Sequence, residues 1–152
     1  MAGVQRARYK PNIVQTVKTT AFSTTSTSFT DVTGLSVAIT PKNASSLVLV
    51  TVSIYTSNSA VALNSFNLLR DATALAQPAA DTYSASMNAS MAVVTNDDRT
   101  VALTFLDSPA TVAATTYKIQ MKVSSATGYV CRRSDLASVS AASVITVQEI
   151  EQ

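Results

Sequence analysis

SSLVLVTVSIY, Ser45 to Tyr55, decides the fold. Read with a period of two, Val48, Val50, Val52 and Ile54 share one face, and Leu49, Thr51, Ser53 and Tyr55 share the other. β-Branched residues dominate the stretch, which suits a pleated strand and disfavours a helix. It is too short and too rich in hydroxyls to cross a bilayer. It reads as the central strand of an all-β domain.

Outward from it the same period recurs. Leu35, Val37 and Ile39 share one face ahead of a Pro41-Lys42-Asn43 turn, and Val101, Leu103 and Phe105 alternate before Asp107-Ser108-Pro109. Tyr117, Ile119, Met121 and Val123 oppose Lys118, Gln120 and Lys122, the pattern of a half-buried antiparallel strand. Ile13 to Thr19, Gly128 to Cys131 and Val144 to Ile150 add three more strands. Phe66 to Arg70 and Thr73 to Ala76 form a hairpin around Asp71-Ala72, where a type I′ turn would want positive φ at both central residues.

Three segments read less simply. The Ser/Thr-rich AFSTTSTSFTDVTG, 21–34, is expected as a loop between anchored strands, closed by a turn at Asp31 to Gly34. TSNSAVALNS, 56–65, is weakly patterned and is expected as an outer connection. Ser84 to Val94 fits both helical and strand spacing, and its Ser and Asn content favours strand. The tally is about eight or nine short strands and no helix longer than a turn. The expected fold is an antiparallel β-sandwich or jelly-roll-like single domain over 13–152, preceded by a short basic N-terminal arm over 1–12.

Composition narrows the chemistry. The chain has 152 residues, of which 47% are hydrophobic and only 13% charged, against the usual quarter or so for soluble domains. So little charge implies further burial against copies of the chain or a partner. A net charge of +2 gives no clustered basic face, so no nucleic acid is expected, and no membrane partner either. The start lacks the apolar core of a signal peptide, so the sequons at Asn43 and Asn88 are taken as chance. Histidine is absent, which removes the commonest general base and metal ligand. The single Cys131, in YVCRR, reads as a buried structural thiol. Asp97-Asp98 beside Arg99 reads as a solvated turn rather than a glycosidase pair or a calcium site. With three glycines there is no phosphate-cradling loop. No enzyme activity, cofactor or metal is expected.

In the arm, Arg6, Arg8 and Lys10 alternate with Gln5, Ala7 and Tyr9. Such a segment either frays in solvent or orders on a partner surface. Arg132-Arg133 reads as an exposed or subunit-interface pair.

VKTTAFSTTSTSFTDVTGLSVAITP (17–41), SSLVLVTVS (45–53), LLRDATAL (68–75), TFLDSPATVAATTYKIQ (104–120) and SVITVQEI (143–150) occur in that order. Together they resemble a small β-domain of tailed-phage virion proteins, including those of phages infecting cyanobacteria. The likeness spans about Val14 to Ile150 and carries no catalytic residues. The glycines expected near the hairpin and in later loops are replaced, as at Ala72 and through 77–90. In that family the domain ends fibres or decorates heads. A stand-alone copy with a short arm implies a capsid cement, or decoration, protein. It would be homotrimeric, lie on the outer capsid surface of the virion and bind the major capsid protein. The contact is expected at Arg6, Arg8, Tyr9 and Lys10, with Ile13, Val14 and the residues to Lys18 pairing onto a strand edge of that partner. The alternative is a receptor-binding tip of a tail or fibre, with loops that hold a host glycan, although Trp is absent.

Overall fold

The structure, a computed structural model, describes residues 10–91 and 97–152. These hold eleven strands and no helix: β1 (Ile13–Lys18), β2 (Phe22–Thr24), β3 (Thr30–Ile39), β4 (Leu47–Asn58), β5 (Leu63–Arg70), β6 (Thr73–Leu75), β7 (Met87–Ser90), β8 (Asp98–Asp107), β9 (Thr115–Val123), β10 (Gly128–Val130) and β11 (Ser143–Ile150).

β4 is paired on both sides. Along one edge lie β11, from Leu47 to Ser53, and then β10, from Thr56 to Asn58. Along the other lies β8, in ten consecutive pairs from Val48↔Asp107 to Ser57↔Asp98. β1 extends this first sheet beyond β11, and β2 extends it beyond β10. The second sheet runs β3-β9-β5, with β7 and β6 sharing the far edge of β5. Every pairing is antiparallel. The pairs β1·β11, β3·β9, β4·β8 and β5·β7 nest inside one another along the chain and divide between the two sheets, which is the winding of a jelly roll.

The alternation read in Ser45 to Tyr55 sets the core. Val48, Val50, Val52 and Ile54 are buried and meet Phe66, Leu68, Tyr117, Ile119 and Met121 of the opposite sheet. Polar clamps close both ends of the sandwich. At one end Asp107 of β8 accepts hydrogen bonds from Arg70 Nη1 (2.9 Å) and Tyr117 Oη (2.7 Å), both from the second sheet. Burial first, then that hydrogen bond, pushes the Tyr117 phenol far above its ordinary pKa. At the other end Asn64 of β5 donates to Thr56 Oγ1 and Ser57 O (both 2.9 Å) and accepts from Asn58 Nδ2 (2.8 Å). Gly128 lies against this second clamp. A Cβ there would overlap Met121 Cε and lie 2.6 Å from Val123 Cγ1 and 2.9 Å from Asn64 Oδ1.

Some boundaries differ from the sequence reading. The segment after Tyr55 is not an outer connection: Thr56, Ser57 and Asn58 are buried in β4, and β5 begins at Leu63 rather than Phe66. Their polar groups are satisfied by the Asn64 clamp and by the Tyr129, Arg132 and Ser125 carbonyls, so hydroxyls and amides fill core positions there. Asp31 to Gly34 is no turn but a bulge within β3, where the register with β9 shifts between Asp31 and Ser36 and Gly34 takes φ 80. The strand in 84–94 spans Met87–Ser90, with Ala85, Met87, Ala89 and Met91 buried at a period of two; residues 92–94 lie outside the described residues. The hairpin at Asp71-Ala72 forms as read, with positive φ at Asp71 and not at Ala72, so its turn is not type I′. Cys131 is buried but lies just past β10 at φ 61, its Sγ facing Lys18 O and Ser143 Oγ at 3.2 Å.

Gly128→Ala forces a methyl group into the packed clamp and is expected to cost about 1–3 kcal/mol in urea unfolding, the usual range for overpacking. A midpoint unchanged from wild type contradicts this packing.

Candidate interaction surfaces

Of the residues assigned to the arm contact, Arg6, Arg8 and Tyr9 lie outside the described residues; Lys10, Ile13 and Val14 lie within them and are exposed. The chain is fixed where it enters the domain. Asn12 Nδ2 donates to Glu149 Oε2 (2.8 Å) and to Thr40 O (2.9 Å), and the Glu149 N–H donates back to Asn12 O (2.9 Å). Glu149 Oε1 accepts the Lys42 N–H at 2.7 Å, while Lys42 Nζ bonds Lys10 O (2.8 Å) and Glu151 (2.6 Å). Glu149 is fully buried because it shares the inward parity of Ile145 and Val147 on β11. Burial alone would raise its pKa. Hydrogen bonds from Asn12 and from the Lys42 and Asn43 N–H groups outweigh that and hold the carboxyl below its ordinary value.

Ile13 and Val14, expected to pair onto a partner's strand edge together with the residues to Lys18, lie in β1, which pairs on one side with β11 of its own chain, from Ile13↔Gln148 to Lys18↔Ser143, and forms the edge of the first sheet. Its alternating pattern finds the nearest complementary edge within the fold.

Arg132 and Arg133 follow β10 in the half of the sheet away from Lys10, where Cys131 N–H donates to Tyr55 O (3.0 Å) and Ser57 Oγ donates to Arg132 O (2.8 Å). The Arg132 guanidinium stacks on the Tyr129 ring, 4.9 Å from its centroid, and Arg133 pairs with Asp135 at 2.8 Å. Both are half-buried and tied into their own loop. The Asp97-Asp98 pair is divided: Asp97 binds Arg99 (2.5 Å) and Asp98 accepts from Tyr55 Oη (2.6 Å). Burial first, then that bond, pushes the Tyr55 phenol up to about 12. Among the described residues no three Cys, Asp or Glu side chains gather as metal ligands, and no helix is long and apolar enough to cross a membrane. A cleft of about 240 Å³ lies between Thr27, Thr82, Tyr83, Lys122 and Ser124, smaller than the roughly 300–1,000 Å³ of ordinary ligand pockets.

The largest feature is one that strand-by-strand reading missed. On the outer face of the first sheet, the register across β1, β11, β4 and β8 aligns three rows: Ile13, Gln148, Leu49, Leu106; then Gln15, Thr146, Thr51, Thr104; then Val17, Val144, Ser53, Ala102. None of the twelve is charged. Ile13, Val17 and Leu106 are each about half exposed, at 50%, 51% and 51%. The outer face of the second sheet differs. Lys118 and Gln120 bind Asp31 across it (both 2.8 Å), and the segment from Gln77 to Ser86 covers Asn67 through hydrogen bonds. The parity of each strand was legible beforehand, but the rows exist only once the register joins four distant segments.

No family model matches the chain, and comparison with curated proteins finds no match.

Glu149→Gln is expected to cost about 1.5–3 kcal/mol, the range for hydrogen bonds to a charged group. Because the folded-state pKa lies below the ordinary 4.5, the carboxylate's contribution is present above that value and lost as pH falls through the folded pKa. The wild-type advantage over Glu149→Gln in thermal unfolding should therefore be full near neutrality and shrink in acid. A difference independent of pH contradicts the role assigned to the carboxylate.

Proposed function

We propose that the chain is a virion structural protein, a decoration protein that binds the outside of a tailed-phage head and stabilises the coat shell. The observation that carries this is the pinned root of the basic arm. Buried Glu149 holds Asn12 in place, so Lys10 lies at one defined end of the sandwich. A rigid domain with a basic segment at one end suits anchoring to a large protein surface better than it suits catalysis. The order of segments shared with the virion β-domain supports the same reading.

The energetics follow from multiplicity. A dozen residues give a weak contact alone, but arms held together in an oligomer bind with effective concentrations in the millimolar range or so. Each bound copy favours the assembled shell over its dissociated subunits, and the shell gains stability by mass action. The partner is the major capsid protein, and no metal or cofactor enters the reading.

A second reading, a receptor-binding tip, is favoured by the cleft at Tyr83. An aromatic ring 51% exposed beside Thr27, Thr82 and Ser124 offers a small platform and hydroxyls to a host glycan. Binding on a glycan array that is lost in Tyr83→Ala would establish it in place of the first.

Deletion of residues 1–9 should abolish binding to stripped phage heads in a co-sedimentation assay and leave the thermal midpoint unchanged. Undiminished binding by the truncated chain contradicts the arm contact.

A further inference from the structure

We propose that the cleft lined by Thr27, Thr82, Tyr83, Lys122, Val123 and Ser124 binds an acidic sugar residue, Lys122 taking its carboxylate and the Tyr83 ring its apolar face. The inference rests on the glycan reading of this cleft and goes beyond it by fixing the charge of the ligand.

Lys122 carries the argument. Lys118, four residues earlier on the same face of β9, is neutralised by Asp31 at 2.8 Å. Lys122 is half-buried and joins none of the ion pairs among the described residues. Its ammonium lies 4.7 Å from the centroid of the Phe29 ring and donates one hydrogen bond, to Thr82 O at 3.0 Å. An ammonium has three donors, so capacity remains for a ligand in the cleft that Lys122 lines. No acidic side chain lines that cleft. Asp31 is held by Lys118 and Gln120, and Asp81 Oδ1 accepts the Thr82 N–H at 2.6 Å. A cation in a recess without a counter-ion gains more from an anion than from a neutral ligand.

The rest of the lining selects a sugar carboxylate over a phosphate. Phosphate sites add a guanidinium fork, a helix N-terminus or a nest of backbone N–H groups to their lysine. Here no arginine lines the cleft, and the described residues hold no helix. The hydroxyls of Thr27, Thr82 and Ser124 donate no bond within the described residues, while Ser124 Oγ accepts one from the Leu63 N–H at 2.8 Å. The Tyr83 ring is half-exposed beside them. Spare hydroxyl donors and an open aromatic ring suit the hydroxyls and the C–H face of a sugar. A volume of about 240 Å³ suits the end of a glycan chain rather than a wholly enclosed ligand. Both walls are tied before a ligand arrives. On one side the Val123 N–H donates to Ser26 O (2.9 Å) and Ser26 Oγ donates to Ser28 O (2.6 Å). On the other, Ser84 Oγ donates to Ala79 O and accepts the Asp81 N–H, both at 2.6 Å. Fixed walls lower the ordering cost of binding.

The test is an array of uronate- and sialate-terminated glycans, each presented beside its methyl ester. The full chain should bind the acids at least about tenfold more tightly than the esters. Esterification alters the ligand and leaves the protein untouched, so no folding defect mimics this result. Lys122→Gln keeps a donor for Thr82 O and removes the charge; it should lose the preference while keeping the wild-type circular dichroism. Lys122→Arg should retain the preference. Equal binding of acids and esters, lost in Tyr83→Ala, overturns the acidic-sugar inference and leaves the glycan reading standing. Binding to no glycan overturns both. A preference for acids undiminished in Lys122→Gln also overturns the inference, because the carboxylate is then held elsewhere.

Discussion

Everything in this domain depends on β4 being paired along both edges while alternating between core and exterior from Leu47 to Ile54. Because β11 and β8 flank it in continuous register, the inward valines of β4 are locked opposite Tyr117, Ile119 and Phe66. A slip of one residue would exchange every inward side chain for an outward one and bring Thr51 and Ser53 into the core. The same register aligns the outer rows. Core and uncharged outer face are thus two consequences of one set of pairings.

Polar groups handle what the apolar alternation cannot. The Arg70–Asp107–Tyr117 clamp and the Asn58–Asn64–Thr56 clamp tie the sheets together where the sandwich would otherwise splay. Arg70, Tyr117, Asn58 and Asn64 each donate to an acceptor on the opposite sheet, and Thr56 Oγ1 donates to Tyr129 O within its own, so burial strengthens rather than strands these donors. Glu149 plays the same part for the incoming chain, gathering Asn12 and the Lys42 turn on one carboxylate. Charge is therefore concentrated at the ends and on the second sheet, leaving the outer rows of the first bare.

Where burial follows period two, the fold was legible in the sequence: β4 as far as Ile54, β9 and β11 alternate cleanly, and their buried positions are the expected ones, whereas Tyr55, read on the outer face, is buried. It was illegible where polar residues occupy core positions, as at Thr56 to Asn58, because only a partner distant in sequence shows that such groups are satisfied. The bulge at Gly34 looked like a turn for a related reason, since a glycine after Asp and Thr serves either purpose. Glu149 carried a usable signal in sharing the parity of Ile145 and Val147. The arm was legible as a basic segment, but its anchoring on Glu149 was not. The uncharged face was least visible of all, since it joins β1 and β11, which lie at opposite ends of the chain.

The central claim is that this chain belongs on the outside of a phage head, held by its arm. Immunogold labelling of intact virions that carry it tests this most directly. The account predicts gold distributed over the faces of the head. Gold confined to the tail end, or absence of the chain from the denatured virion, would contradict it.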